Sequence, residues 1–401
     1  MRIPKTNTTI SSRDSRGASL VEYGVVLGLV GLVSVSVVRG YGLEIAETFN
    51  GAERSLAQVT YDPDAFIFEV STATGAIFPY SGGTIEIDWG DPTANATCTT
   101  TYVVDSSGPL TCDYPKAGTY RISITGDITR YGQLYSAAYK SDITRVIQWG
   151  NTGLTDLINA FYGASNLTDI PPDLPPEVTR LTGAFKFATN LNDPDFSLWD
   201  TSNVRYFSMA FSDATRFNAD ISGWDTSSAI STYGMFHNAR AFNRDLSSWD
   251  VSSVDSFWKM FEGASSFSQD LSSWDTSSVE TITLMFSGSA FNGDISTWDT
   301  SKVEYMTEVF SDNTDFDQDI SGWDVSQVQS FSGMFRGASA FSADLASWDV
   351  SSATEMDGMF DGASNATSDL SGWCVPLVGS PPTAFSDGSG IVADPVWGNC
   401  P

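Results

Sequence analysis

The residues best able to do chemistry in this sequence are two columns of aspartates. Asp220, Asp245, Asp270, Asp294, Asp319, Asp344 and Asp369 form one, and Asp200, Asp225, Asp250, Asp275, Asp299, Asp324 and Asp349 the other. Carboxylates in such numbers suit two kinds of work: paired acid–base chemistry for glycoside hydrolysis, or oxygen ligation of calcium. Repetition argues against the first, because catalytic residues are singular and these are members of ladders. If the columns stack at ~4.8 Å, neighbouring charges repel by ~0.9 kcal/mol in water, and more beside an apolar wall. Hydrogen bonds from serine hydroxyls and backbone N–H groups would offset that. Bound calcium is the other reading, with Asp225, Asp250 and Asp275 as its candidate ligands. Asp88 and Asp91 pose the same choice between a self-bonded turn and calcium. His237 is the only histidine. It sits at a position that varies between repeats and reads as solvent-facing. No nucleophile elbow, phosphate loop or clustered metal-ligand motif occurs. The expectation is therefore a protein that is not an enzyme, with calcium the only cofactor in question.

The elements that must position these columns follow from a period. Trp199, Trp224, Trp249, Trp274, Trp298, Trp323, Trp348 and Trp373 recur at spacings of 25, 25, 25, 24, 25, 25 and 25. A fixed period of this length predicts a solenoid in which each coil buries its apolar edge against the next. The tryptophans read as its core. Within a coil, Val254, Phe257, Met260, Phe261 and Ala264 predict a short one-sided helix. Leu246 to Asp250 predicts a brief extended step, and Ser252 or Ser253 a helix cap. Tyr206, Tyr233, Trp258, Lys302 and Arg336 vary between coils and are candidates for the exposed, ligand-facing set.

Composition bounds the rest. The chain has 401 residues, with 41% hydrophobic and 13% aromatic, enough for packed cores. Its formal charge of −29 excludes phosphate backbones as natural partners. Four cysteines fall in two local pairs, Cys98 with Cys112 and Cys374 with Cys400. They suggest two disulfides and an oxidising compartment. Pro376, Pro381 and Pro382 follow the last tryptophan and predict a cap over 374–401.

The N-terminal segment is of another kind. Arg2, Lys5, Arg13 and Arg16 stand against Asp14, and an apolar stretch from Ala18 to Val38 is interrupted only by Glu22. That length suffices to cross a bilayer, and the basic flank would keep the N-terminus inside. Gly17, then Ala18-Ser19-Leu20-Val21, then Glu22-Tyr23 resembles the processing motif of the Flp family of type IVb pilins, made by tight-adherence (Tad) systems. The resemblance implies prepilin-peptidase cleavage between Gly17 and Ala18, and a pairing of Glu22 with a neighbouring subunit in the filament. Helical spacing continues to about residue 58.

From 59 to 147 the pattern alternates, as in Phe66-Ile67-Phe68-Glu69-Val70 and Thr84-Ile85-Glu86-Ile87-Asp88-Trp89, predicting a small β-sandwich. Asp88-Trp89-Gly90-Asp91 with Tyr114-Pro115-Lys116-Ala117-Gly118-Thr119-Tyr120 resembles the polycystic-kidney-disease (PKD) domain, an immunoglobulin-like spacer. The Trp-Asp-Val-Ser and Met-Phe-x-x-Ala elements of 148–373 resemble the BspA-type leucine-rich-repeat surface proteins, which implies adhesion.

Taken together, the sequence predicts a leader (1–17), a transmembrane pilin helix (18–58), a β-sandwich (59–147), an α/β leucine-rich-repeat-like solenoid (148–373) and a cap (374–401). The expected function is that of a surface adhesin carried on a Tad-type pilus. It would start in the inner membrane with its C-terminal part outside, and end in an extracellular pilus or at the cell surface. The expected partners are other pilin subunits, the prepilin peptidase and a surface ligand such as a host protein, glycan or matrix, with no nucleic acid. A membrane-anchored receptor or scaffold is the alternative, and a surface glycan hydrolase a more distant one.

Overall fold

A computed structural model of the chain describes residues 43–44, 59–60, 62–72, 75–78, 80–90, 97–98, 101–103, 110–132 and 142–398. The chain divides into two compact units, Met1–Pro63 and Asp64–Pro401. In the first, strand β1 (Leu43–Glu44) pairs antiparallel with β2 (Val59–Thr60). This overturns the expectation of one continuous helix over 18–58, because Leu43 and Glu44 lie inside that span. Among the described residues there is no helix, and none long and apolar enough to cross a membrane. The transmembrane pilin helix and the inner-membrane placement drawn from it are corrected accordingly. Gly17, Ala18, Glu22 and Tyr23 lie outside the described residues.

The second unit begins with antiparallel sheets. Strands β3 (Phe66–Thr72), β5 (Tyr80–Asp88), β7 (Thr101–Val103), β9 (Gly118–Tyr131) and β10 (Ile143–Gln148) form a five-stranded sheet in the order β10-β3-β9-β5-β7. Strands β4 (Gly75–Phe78), β6 (Thr97–Cys98) and β8 (Leu110–Asp113) form a second sheet, ordered β4-β8-β6. Alternation in β3 turns Phe66, Phe68 and Val70 inward against Ile122 and Ile124 of β9. In β6 and β8, Cys98 is the register partner of Cys112, which is disulfide-bonded.

This sheet is also the first rung of the solenoid. Arg130 near the end of β9 makes a parallel bridge to Asp156, and Arg145 in β10 makes one to Asp169. Phe66 stacks on Trp149 at 5.9 Å, and Tyr131 meets Phe161 at 5.4 Å. One apolar cluster therefore runs unbroken from β3 to Phe385. The far end is closed by the parallel pair β11 (Cys374–Val375) and β12 (Val396–Trp397). Cys374 is disulfide-bonded, and Cys400 lies outside the described residues.

Each coil is built from turns and cross-coil bridges. The expected helix of the leucine-rich-repeat reading is absent, and the hydrogen bonds explain why. The N–H groups of Phe257, Lys259, Phe261 and Gly263 donate to Thr281, Thr283, Met285 and Ser287 of the next coil. Those between them turn back, Met260 to Phe257, Glu262 to Lys259 and Ala264 to Phe261. A backbone that spends alternate donors on its neighbour cannot also close the i→i−4 bonds of an α-helix. The three-residue turns nevertheless return Phe257, Met260 and Phe261 to one side. Phe161, Phe185, Phe211, Phe236, Phe261, Phe286, Phe310, Phe335 and Phe360 stack coil on coil at 5.4–5.9 Å. The eight periodic tryptophans are buried beside them, at 1–5% exposure.

Two positions per coil adopt left-handed backbone. One holds Asn159, Met209, Lys259, Leu284 and Glu308, with glycine in other coils; the second holds Phe187, Asp213, Asn238 and Asp312, again with glycine elsewhere. Only glycine takes this conformation freely. At Gly263 (φ 69°) an added Cβ would also run into Asn238 Oδ1. We therefore expect Gly263→Ala to cost about 1–2 kcal/mol. Glu308→Gly (φ 53°) should gain about 0.5–1 kcal/mol, since the exposed pair it gives up with Arg336, at 3.7 Å, contributes little. Urea denaturation of the two variants checks both signs.

Candidate binding face

The outward side of the cross-coil ladder is the most distinctive surface of the solenoid. Parallel bridges join Arg180 to Tyr206, Tyr206 to Ser231, and then Ser256, Thr281, Tyr305, Ser330 and Glu355 in series. A second outward column, two residues on, carries Ser208, Tyr233, Trp258, Thr283, Thr307, Ser332 and Asp357. Its side chains alternate with the buried phenylalanines and methionines for the reason that strand residues alternate.

The face changes character along its length. Its N-terminal part is aromatic and cationic. Tyr162 meets Phe187 edge-on at 5.3 Å, Lys186 lies over Phe187 at 5.3 Å, and Arg180 over Tyr206 at 4.8 Å. Tyr233 and Trp258 are in contact at 5.1 Å. Hydroxyls are interleaved with them and continue beyond, with Ser208 Oγ and Ser231 Oγ 2.7 Å apart and Thr307 Oγ1 and Ser330 Oγ 2.8 Å apart. Glu355 and Asp357 end it with exposed carboxylates. Trp258 is 45% exposed, Tyr305 44% and Phe187 37%.

Of the coil-variable residues singled out in the sequence, Tyr206, Tyr233 and Trp258 come together here. Arg336 lies beside this face, facing Glu308. Lys302 belongs to the aspartate turns instead, near Asp275 and Asp299. Tyr162, Phe187 and Tyr305 were missed. Aligning the coils on their tryptophans would have shown that Tyr305 shares the Tyr206 column, since each stands seven residues after one, Trp199 and Trp298.

His237 is half-buried between coils, correcting its reading as solvent-facing. Its Nδ1 is 3.3 Å from Ser212 Oγ and 3.8 Å from Asp213 Oδ2, and its Nε2 is 3.5 Å from Glu262 Oε2. Serine, histidine and aspartate are the types of a nucleophilic triad. Ser212, however, is 1% exposed and donates to Asp213 Oδ2 at 2.9 Å, so no substrate reaches it. The group ties neighbouring coils together.

The aspartate columns are turn formers. Asp245 Oδ1 accepts from Ser247 N–H at 2.9 Å, and Asp250 Oδ1 from Ser252 N–H at 3.0 Å and Ser252 Oγ at 2.6 Å. All fourteen column aspartates accept from the N–H two residues on. These bonds hold ten of the carboxyls below their ordinary value of 3.8, chiefly through the hydroxyl and N–H of the following serine. Asp88 makes the same kind of turn bond, its Oδ1 accepting from Gly90 N–H at 2.9 Å; Asp91 lies outside the described residues. Among the described residues no three acidic, histidine or cysteine groups are arranged to hold a metal ion.

The DUF285 family profile, described as a Mycoplasma protein of unknown function, matches residues 155–274 and again 259–373. That family is found in BspA-like surface proteins. No curated protein matches the chain.

Proposed function

We propose, from the premise that this chain belongs to the DUF285 family, that it is a non-catalytic recognition protein of the adhesin type. It binds a macromolecular ligand through the outward face of its cross-coil ladder. The observation that carries this reading is the pair of solvent-exposed aromatics on that face, Trp258 and Tyr305, with Tyr233 against Trp258 at 5.1 Å. Exposed apolar surface is normally minimised, and where it persists it marks contact sites. Tryptophan, tyrosine and arginine are the side chains that most often dominate binding energy. Held on a rigid stack, they lose little freedom on association. Exposed carboxylates, Glu355 and Asp357, stand at one end of the face only, which gives it direction, so a ligand can be recognised in one orientation.

The test is binding of the intact chain to arrayed matrix proteins, mucins and glycans. We expect at least one component to be retained, and Trp258→Ala to weaken that binding by about 10-fold or more, a typical hot-spot loss, with the melting temperature unchanged. Absence of any retained component, or wild-type retention by Trp258→Ala and Tyr233→Ala alike, would sink the reading.

A further inference from the structure

The ladder face is complementary to itself in charge. Its rungs begin at Arg130 and end at Glu355. Five of them, Arg130, Asp156, Arg180, Tyr206 and Ser231, precede the midpoint, and five, Ser256, Thr281, Tyr305, Ser330 and Glu355, follow it. The residue just before each rung forms a rim. It is Arg205 in the first half, and Asp255, Glu280 and Glu304 in the second, all exposed. On these two columns the arginines all precede the midpoint and the exposed carboxylates all follow it. Asp156 is no exception, being buried against Arg130 at 2.8 Å.

The arginines are also left over. In a chain of formal charge −29, carboxylates are plentiful. Yet among the described residues neither Arg180 nor Arg205 makes an ion pair. At the midpoint stand Tyr233 and Trp258, one on either side of it and in contact at 5.1 Å.

These positions select a pairing. A two-fold axis lying across the face at its midpoint sets a second copy on the first with the stack reversed. An isologous contact of this kind repeats every pair twice. The first rung then faces the last, Arg130 against Glu355. Arg205 faces Glu280, and Arg180 faces Tyr305 beside Glu304. Tyr233 and Trp258 of both copies meet at the centre, where binding energy concentrates, inside a charged rim. Asp255 faces Ile230, so no like charges are opposed. Sliding the second copy by one rung sets Asp255 against its own counterpart, at a Coulomb cost; sliding it the other way leaves Glu355 beyond the ladder. A parallel pairing lays arginines on arginines. At ~4.8 Å per rung the face is ~45 Å long, and a strip ~12 Å wide buries about 1,000 Å² over both copies, enough for a specific contact.

We infer that the partner this face fits is a second copy of the chain, laid antiparallel about a two-fold axis between Ser231 and Ser256. The inference rests on the reading of the ladder as a recognition face and names one occupant for it. A face paired in this way is closed to any other ligand until the copies part.

Sedimentation of the intact chain tests it, from about 1 µM to about 500 µM, the affinity range of modest interfaces. We expect a closed dimer that weakens in about 1 M salt. Arg180→Glu with Arg205→Glu should raise the dimer Kd about 10-fold or more, as reversed charges across a contact do. Glu280→Arg with Glu304→Arg should do the same. Mixed one to one, these two variants should pair about as tightly as the wild type, because each supplies the charge the other lacks. Arg216→Glu with Arg240→Glu makes an equal charge change off the face and should leave the dimer intact. Melting curves confirm that each variant folds. All keep Tyr233 and Trp258, so retention on the arrayed components reports the recognition reading separately. Retention by a chain that stays monomeric throughout overturns the pairing alone; dimerisation with nothing retained overturns the other reading and leaves the pairing in place. The proposal also fails if mass grows beyond two copies, if either reversed variant dimerises like the wild type, if the mixture pairs no better than its parts, or if the off-face change weakens the dimer equally.

Discussion

Trp298→Ala should remove about 3–5 kcal/mol of stability, from a buried large-to-small truncation with the loss of one indole hydrogen bond. The indole lies between Trp274 at 6.3 Å and Trp323 at 6.1 Å, each parallel to within 1°. It also meets Phe257 and Phe286. Its Nε1 donates to Leu271 O at 3.0 Å, so truncation empties the rung and removes that bond, while Trp274 N–H still donates to the same oxygen at 3.1 Å. Against a typical domain stability of ~5–15 kcal/mol, this is a large share. The damage should be local, because each coil bonds mainly to the coils on either side. Hydrogen exchange followed coil by coil measures it. Protection should fall most between about residues 271 and 323, and little around Trp199 or beyond Trp373. A uniform loss across the array, or a cost under about 1 kcal/mol, would contradict a ladder of nearest-neighbour contacts.

The second large effect is loss of stability in acid. Ten column carboxyls have folded-state values below 3.8, held there by serine hydroxyl and N–H donors, for example Asp250 by Ser252. A carboxyl lowered on folding stabilises the native state above its unfolded value. That contribution disappears as pH falls through the folded value. The melting temperature should thus be nearly flat from neutral pH down to roughly pH 5 and fall steeply below about pH 4. A formal charge of −29 works the other way, since protonation relieves self-repulsion. The short bonds decide the balance in salt: exposed charges are screened over ~8 Å at 0.15 M, whereas donors at 2.6–3.0 Å are not. Melting scans at that ionic strength are the check. A melting temperature that holds steady or rises from pH 5 to pH 3 would mean that the turns do not depend on ionised aspartate.

Much of the solenoid was legible because its signal is repeated. A tryptophan at every twenty-fifth position has to be interior in a stacked array, and an Asp-x-Ser step names its own turn chemistry. The helix was misread from Val254, Phe257, Met260, Phe261 and Ala264. Steps of three residues serve a helix face and a chain of three-residue turns equally well. What separates them is the left-handed backbone at Lys259 and Gly263. Lysine, leucine, glutamate and methionine carry no preference for that conformation, so their residue types gave no warning. The N-terminal reading failed for a related reason: a rough helical spacing up to about residue 58 reads as a continued helix, while Leu43 and Glu44 pair as a strand. The ladder face was partly legible, since Tyr206, Tyr233 and Trp258 stood out as variable. The irregular rung at Trp224 was not: its indole N–H is buried without an acceptor, and only Pro194 hinted that one coil differs.

The coil-to-coil bonding has a mechanical side. The ladder bonds run along the stack and each coil is held by its two neighbours, so a pull on the ends opens the array one terminal coil at a time. Each opening releases 25 residues, about 80–90 Å of extended chain, and the coils behind it stay intact. A molecule made this way yields in steps under load, dissipating work at every step while the remainder of its stack stays folded.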